Sequence, residues 1–413
     1  MSLKQQRADA VVIGGGAAGM LCSALAAERG LSVLMLEPNA VLGKKLRITG
    51  RGRCNVTNDC TAAEFIQSLP GDGRFMQSAI HRFGPGDVMA LFERLGVPLK
   101  VERGRRVFPE SDRAADVASA LERYMRRSGA EVAHERAEEI ITGPDGVCAV
   151  RTRNGEIECR SAVICTGGLS YPGTGSTGDG YRMAAELGHT VTPARPSLVP
   201  LESPDGFCRD MQGLSLKNVR LTAYEDGREI YGEQGEMLFT HFGVSGPLVL
   251  SASAHMRGFP AKKYRLSIDL KPALDAARLD ERVLRDFSKN KNREFRNSLS
   301  ELAPKALIPV LIERSGIPPE TRVNSVTREQ RLALVALMKD FSIRISGTRP
   351  VAEAIVTAGG ISTREVDPRT MQSRLVPGLY FAGEVLDLDA YTGGFNLQIA
   401  WSTAYVAANS LRS

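Results

Sequence analysis

The stretch Ala10-Val11-Val12-Ile13-Gly14-Gly15-Gly16-Ala17-Ala18-Gly19-Met20 decides the fold. Residues 10–13 are a short β-branched run suited to a buried parallel strand. The run ends in glycines at 14, 16 and 19, the spacing G-x-G-x-x-G. Met20 to Arg29 then reads as a helix stopped by Gly30, and Leu31 to Leu36 as a second apolar strand closing on Glu37. Strand, glycine turn, helix, strand and terminal acid, in that order, predict a dinucleotide site. Gly14 makes the tight turn, Gly16 lets a pyrophosphate approach main-chain N–H groups, and Gly19 lets helix and strand pack. Glu37 lies 18 residues after Gly19, where a carboxylate can accept hydrogen bonds from both ribose hydroxyls. The same carboxylate would repel a 2′-phosphate, which favours FAD or NAD over NADP.

Three later segments favour FAD. Gly43-Lys44-Lys45-Leu46-Arg47-Ile48-Thr49-Gly50-Arg51-Gly52-Arg53-Cys54-Asn55 follows the second strand, and its five cations and three glycines could cover a pyrophosphate and approach a flat ring. Ala162-Val163-Ile164-Cys165-Thr166-Gly167-Gly168 is a later buried strand ending in Thr-Gly-Gly. Gly378-Leu379-Tyr380-Phe381-Ala382-Gly383-Glu384, near the C-terminus, is another strand ending in glycine and acid, and an acid there could hold ribityl hydroxyls. An ordinary NAD dehydrogenase needs no such distant element.

The loop GKKLRITGRGRCNVTN, the stretches GRRVFPESDRA (104–114) and GEMLFTHFGVSGP (235–247), and the ending AGEVLDLDAYTGGFNLQIAWSTA (382–404) resemble one family. It is the bacterial NAD(P)/FAD-dependent oxidoreductases of the aminoacetone-oxidase and BaiN-like type, and the likeness spans essentially the whole chain. The resemblance implies a two-part (GR2-type), Rossmann-like FAD domain of the α/β class, interrupted by an inserted β-rich domain with a small helical lobe. FAD would be bound tightly without a covalent link. Members include amine oxidases and reductases of steroid-type enones, so the substrate does not carry over. The family's FAD-contacting positions fall here on Gly14, Gly15, Gly16, Ala17, Ala18, Gly19, Glu37, Lys45, Gly50, Gly52, Arg53, Cys54 and Asn55. They continue at Thr166, Gly167, Gly168, Gly383, Glu384, Gly394, Phe395, Asn396, Leu397 and Gln398. Glu384 departs from the Gly-Asp pair of many FAD enzymes but is similar to this family's own pattern. Residues 393–398 open the last helix, Leu397 to Asn409, whose positive end would lie near the flavin O2/N1 edge.

Composition sets the bounds. In 413 residues, 24% charged and 43% apolar positions exclude disorder, and a net charge of +6 is too small for a nucleic-acid scaffold. Glycine, at 41 residues, exceeds the usual ~7%. Cysteines at 22, 54, 60, 148, 159, 165 and 208 are odd in number and scattered, which suits a reducing, cytoplasmic setting rather than a disulfide framework. Lys4 and Arg7 before the apolar stretch Val11 to Ala27 imitate a signal peptide, but the glycine turn explains that stretch better. No uninterrupted apolar run of about 18 residues predicts a membrane span.

We read residues 1–190 as the first part of the FAD domain, 191–350 as the insert and 351–413 as the second part. Prolines at 193, 196, 200 and 204 mark the linker. Strands are expected near 130–135, 147–152, 156–165, 213–225, 229–240 and 263–270, and helices at Ala114–Arg127, Arg282–Phe295 and Arg328–Lys339. A second G-x-G-x-x-G, at Gly173, Gly175 and Gly178, follows Ser170-Tyr171-Pro172 rather than an apolar strand, and leads into a helix from Gly180 to Leu187. No dedicated NAD(P)H domain is therefore expected, and a nicotinamide donor would visit the flavin transiently.

For proton handling and substrate anchoring the candidates are His241, in Phe239-Thr240-His241-Phe242-Gly243, and Tyr391, before Thr392-Gly393-Gly394. Each could equally serve packing. Arg51, Arg53 and Arg106 could hold phosphate or a substrate carboxylate. A flavin disulfide reductase is disfavoured because Cys54-x5-Cys60 has the wrong spacing and no second nicotinamide fold is visible. A non-enzymatic, RNA-associated flavoprotein is disfavoured because the basic residues interleave with glycines rather than with an aromatic platform. The expectation is an FAD-dependent oxidoreductase acting on a small unsaturated or carbonyl-bearing molecule, with NAD(P)H as a transient donor. An amine oxidase using oxygen is the alternative. Neither nucleic acid nor membrane is an expected partner, and oligomeric state is not legible.

Overall fold

The computed structural model describes residues 6–71, 73–289 and 291–412; Lys4 lies outside them. The chain divides into one unit made of Met1–Ser197 with Val351–Ser413 and a second made of Leu198–Pro350. Among the described residues no helix is long and apolar enough to cross a membrane.

The first unit is built on five parallel strands. In chain order its central elements are β1 (Ala10–Ile13), α1 (Ala17–Glu28), β2 (Val33–Leu36), β3 (Glu131–Ala133), β4 (Ser161–Ile164), β5 (Leu379–Phe381) and α2 (Phe395–Ser410). The strands lie in the order β5-β4-β1-β2-β3. Every residue of β1, β2, β4 and β5 is buried, which is why these segments, apart from Ser161 at the start of β4, are apolar runs rather than alternating ones. Helix α1 packs against α2 and against Ala114–Arg127. Trp401 of α2 is fully buried, its ring edge-on to Phe92 with centroids 5.4 Å apart and its Nε1 donating to Val56 O at 2.9 Å. Removing such a ring costs roughly 3–5 kcal/mol.

Some boundaries differ from the sequence reading for local reasons. The second strand starts at Val33 rather than Leu31, because the Ser32 amide and hydroxyl both donate to Asp9 Oδ2 at 2.8 Å. The helix expected over Arg282–Phe295 runs from Ala276 to Lys289: Asp275 accepts from Arg278 N at 2.8 Å and starts it early, and Phe295 falls in a separate turn. Strand Ala137–Gly143, paired with Gly146–Thr152, was not anticipated. Val191–Ser197 pairs antiparallel with Val356–Ile361 inside the first unit, so the second unit starts at Leu198.

The second unit carries a seven-stranded antiparallel sheet and a helical lobe. Its sheet begins with Phe341–Ile345 at one edge and ends with Gly347–Thr348 at the other. Ser346 alone separates those two strands in the chain, so the sheet curls until its edges nearly meet. The unit's entrance and exit also touch, with Arg349 N donating to Pro200 O at 3.0 Å.

One buried histidine gives the first unit a pH dependence. His189 Nε2 lies 2.8 Å from Ser373 Oγ, its Nδ1 lies 3.2 Å from Glu365 Oε2, and its ring meets Phe381 edge-on at 4.9 Å. Burial holds its proton affinity below the ordinary histidine value, against the opposing pull of Glu365. Its depressed folded pKa means stability is complete above the unfolded value, about 6.5, and falls as pH drops below it. We expect wild-type stability to decline below about pH 6.5 by up to roughly 1.4 kcal/mol per pH unit from this group. In urea titrations between pH 5 and pH 8, His189→Asn should be less stable at pH 8 and lose that part of the slope. An unchanged slope would refute the assignment.

Candidate dinucleotide site

The glycines of the first turn divide by task. Gly14 has φ +107°, and a Cβ on it would sit 2.6 Å from Cys165 O. A Cβ on Gly19 would sit 1.8 Å from Gly14 O. Both are therefore demanded by the join of β1 and α1. Gly16 is different: it has φ −82°, and nothing lies within 4 Å of where its Cβ would be. The space in front of it faces the first turn of α1, which has no side-chain cap and no acidic residue. An uncapped, open helix N-terminus behind a glycine suits a diphosphate.

Glu37 stands beside that opening with its carboxylate already oriented. Oε2 accepts from Gly15 N at 2.8 Å, and Oε1 accepts from Asn39 N at 2.8 Å and Asn39 Nδ2 at 2.7 Å. Lys44 Nζ donates to Asn39 Oδ1 at 2.6 Å. Asn39 was not singled out in the sequence; a carboxamide two residues after the strand's terminal acid is its signal.

The basic loop contains a short helix, Lys44–Ile48, followed by a tight turn. Gly50, Arg51, Gly52 and Cys54 all have positive φ, near +60° to +83°. Open space surrounds the Cβ direction of Gly52, and Asn55 Oδ1 is buried without a partner. Arg53 is already committed: its guanidinium pairs with Glu102 and Asp112 and lies 4.2 Å over the Phe108 ring. Its side chain braces the loop rather than serving as a spare anion receptor. Cys54 is fully buried, and burial pushes its thiol up to about 12; Cys60 is pushed up to about 11. Thiols held protonated in this way are poor partners for dithiol exchange.

A second polar knot ties the loop to distant parts of the first unit. Lys45 Nζ donates to Glu384 Oε2 and to Ser170 Oγ, both at 2.6 Å. Glu384 Oε1 accepts from Thr357 N at 2.9 Å and Ser170 Oγ at 3.1 Å, while Thr357 Oγ1 accepts from Leu169 N at 2.8 Å and Ser170 N at 3.0 Å. A Cβ on Gly168 would sit 2.5 Å from Thr357 Oγ1, so the Thr-Gly-Gly tail fits only as glycine there. Ser170 and Thr357 were missed; the first lies just past that tail and the second opens Val356-Thr357-Ala358-Gly359-Gly360. Thr166 Oγ1, at the end of β4, is buried with no partner.

Helix α2 opens at Gly394, which has φ +98°, no side-chain cap and no charge in the first turn. A Cβ on Gly394 would lie 2.4 Å from the Thr57 carbonyl. Two nearby side chains are consumed internally. Gln398 Oε1 accepts from Thr57 Oγ1 at 2.6 Å and its Nε2 donates to Phe83 O at 3.1 Å; Asn396 clamps Ala390 through both its amide oxygen and nitrogen. Phe395 and Leu397 are half-buried in that same first turn. Tyr391 is half-buried, and its N–H donates to Ser68 O at 3.0 Å. His241 is exposed and belongs to the second unit, at the turn after Arg228–Thr240. The second glycine motif forms a short turn, Pro172–Thr174, before helix Asp179–Glu186, with no strand in front of it.

The family model described as HI0933-like protein Rossmann domain matches residues 8–410. The chain belongs to that family. It is an FAD-dependent oxidoreductase, and the residues above suit FAD on physical grounds. Two helix N-termini are uncapped, two glycines look onto open space, and Asn55 and Thr166 hold buried polar atoms in want of a partner. The chain is 34% identical over 98% of both chains to a ribosomal RNA dihydrouridine synthase of Escherichia coli K12. It is 32% identical, over 97% of its length and 98% of the relative's, to a 3-dehydro-bile acid delta(4,6)-reductase of Clostridium scindens. Its fold resembles that of a 3-ketosteroid-delta4-(5alpha)-dehydrogenase from Rhodococcus jostii RHA1, at TM-score 0.50 and 15% identity, covering 98% of this chain and 97% of that one. A relative named for ribosomal RNA means the exclusion of nucleic acid drawn from net charge does not stand as a finding.

Proposed function

We propose that this protein reduces a carbon–carbon double bond conjugated to a carbonyl group, taking its electrons from NAD(P)H through FAD. The observation that carries the reading is the pair of relatives. A 3-oxo, Δ4,6 steroid and a uracil ring share little except an alkene conjugated to a carbonyl, and the same fold over nearly the same length serves both names. FAD held in this cradle would supply the two-electron chemistry, hydride transfer between a nicotinamide and the alkene carbon β to the carbonyl. The chain's own part is to hold, orient and supply a proton.

In this reading the α1 N-terminus and Gly16 hold the diphosphate, and Glu37, fixed by Asn39 and Gly15, receives the adenosine ribose. Lys45 and Glu384 organise the middle of the cradle, while the uncapped α2 N-terminus would favour negative charge on a group bound in front of it. The alkene carbon α to the carbonyl needs a proton, and Tyr391 Oη is the donor we assign on the FAD unit. His241, exposed on the second unit, is kept as a substrate-anchor candidate on its sequence motif alone.

An anaerobic titration tests this. Purified protein should show flavin absorbance, bleach with NADH or NADPH, and recover on addition of a 3-oxo-Δ4 steroid or a uridine-containing RNA. Tyr391→Phe should slow the recovery about 100-fold or more while leaving the bleaching rate within a few-fold. Bleaching by an amine but by neither nicotinamide would replace the reading with an oxidase, and recovery unaffected in the variant would remove Tyr391 from it.

A further inference from the structure

The chain's charge is unevenly placed. The second unit, residues 198–350, contains 24 lysines and arginines against 19 acidic residues, which is five of the chain's net six charges. All of that excess falls within residues 271–339, the helical lobe, which holds 14 cations and 9 acids. Within the lobe it gathers on one crest. Arg285 and Lys289 lie on helix Ala276–Lys289, Lys291 and Arg293 follow it, and Arg322 and Arg328 come from the neighbouring segment.

Backbone pairing brings these stretches together. Asn324 N donates to Lys291 O at 3.3 Å, Val323 N donates to Arg293 O at 3.0 Å, and Glu294 bridges to Arg322. Helix Ala276–Lys289 packs against Val323–Ser325, and Phe287 in its last turn meets the Phe295 ring with centroids 6.3 Å apart. All six cations are exposed, and none is in an ion pair among the described residues. Other cations of the lobe are paired, Arg282 with Asp286, Arg331 with Asp280 and, beside the crest, Arg296 with Glu294, while Lys271, Lys305 and Arg314 lie apart from it without an ion pair among the described residues. The apolar residues of the segment, Phe295 and Val323, point inward and are buried, while Asn292 and Asn324 stand exposed among the cations.

We infer that this crest, Arg285, Lys289, Lys291, Arg293, Arg322 and Arg328, is the docking surface for an RNA strand. Six exposed cations outside any ion pair, carried by segments that pair through their backbones, match a phosphate backbone, whose condensed counterions they would release. The interleaved amides match ribose hydroxyls and base edges, which a lipid surface lacks. No apolar side chain of the 291–296 and 322–325 segments is exposed for insertion into a bilayer. The inference rests on the double-bond reading, under which a uracil within RNA is a substrate. Its partner is identified by charge and hydrogen-bonding chemistry and needs no base-specific contact at the crest.

The test uses the FAD-loaded protein and a fluorescein-labelled RNA hairpin with a uridine-containing loop, titrated at several salt concentrations. Wild type should bind, with log affinity falling linearly in log salt. Lys291→Glu, Arg293→Glu and Arg322→Glu combined should weaken binding at least tenfold and make the slope shallower by about 2, given roughly 0.7 per phosphate contact. Arg123→Glu, Arg127→Glu and Arg153→Glu combined change the net charge equally from exposed positions on the other unit, and should leave the slope near wild type. Equal weakening by both triple variants would overturn the proposal, as would binding to phosphatidylglycerol vesicles without binding to RNA. Reduction of a 3-oxo-Δ4 steroid is measured in parallel. Crest-dependent RNA binding with no steroid or uridine reduction would remove the double-bond reading and leave the docking surface standing. Reduction with crest-independent RNA binding would do the reverse.

Discussion

Gly19→Ala should yield a chain that no longer retains flavin, while Gly16→Ala should yield one that folds normally but holds flavin weakly. The two glycines sit three residues apart in the same turn and fail for opposite reasons. At Gly19 the added carbon would lie 1.8 Å from Gly14 O and 3.4 Å from the Cys165 side chain. Gly14 cannot retreat, because its own Cβ direction points at Cys165 O, 2.6 Å away. Helix α1 must therefore move off β1, opening a junction in which Ala10, Val11 and Val12 are fully buried. We expect a loss of about 3 kcal/mol or more in stability, with flavin binding lost alongside it. At Gly16 the new methyl meets no protein atom within 4 Å, and the backbone is in an ordinary extended region, so the apoprotein is unharmed. The methyl instead occupies the space in front of the helix N-terminus. Flavin absorbance of the purified variants, set beside urea unfolding of their apo forms, separates the two outcomes. A stable Gly19→Ala with normal flavin would show that this turn is not the tight junction described.

Glu384→Ala should cost flavin affinity about 100-fold, and more than Glu384→Gln. The carboxylate is the common acceptor for Lys45 Nζ, Ser170 Oγ and Thr357 N, and its removal takes that acceptor from one half-buried ammonium and two buried donors. Truncating one side of a partly buried charge pair typically costs about 3 kcal/mol, roughly two decades in affinity. Glutamine keeps an acceptor for Thr357 N but not the charge opposite Lys45, and should fall between. Lys45→Met should weaken binding on its own, yet cost little further in the Glu384→Ala background. A double-mutant cycle read by FAD titration of the apoprotein measures that coupling. Purely additive effects would mean the knot does not act as one element.

Much of this was legible beforehand. The first strand, the glycine turn, α1 and the terminal Glu37 are local features, each declared by residues within a few positions of one another. The Thr-Gly-Gly strand and the Gly-Glu strand near the C-terminus were also readable, since both are buried runs ending in residues of restricted use. What escaped was set by distant pairing. Arg53 looks like a free cation in a basic loop, and only the fold supplies Glu102 from a neighbouring hairpin and Asp112 from just past it. Gln398 and Asn396 look like cofactor contacts at a helix start, but Thr57, Phe83 and Ala390 claim their side chains. Ser170 and Thr357, 187 residues apart, become partners only when strand Val356–Ile361 is laid beside the Thr-Gly-Gly tail. The start of the second unit was misplaced by a proline-rich stretch that is in fact a strand, Val191–Ser197, whose prolines sit in a two-stranded ribbon.

The hydrogen bond from Arg349 N to Pro200 O has a meaning for descent as well as for folding. A segment of about 150 residues that leaves the chain and returns at one spot behaves as a cassette. The flanking ends, Ser197 and Val351, belong to neighbouring segments of the same unit, so a turn of a few residues can bridge them. Lineages can then exchange, trim or decorate the cassette while the flavin-binding frame is inherited unchanged. Change confined to the cassette can thereby leave the parallel sheet and its glycine turn untouched.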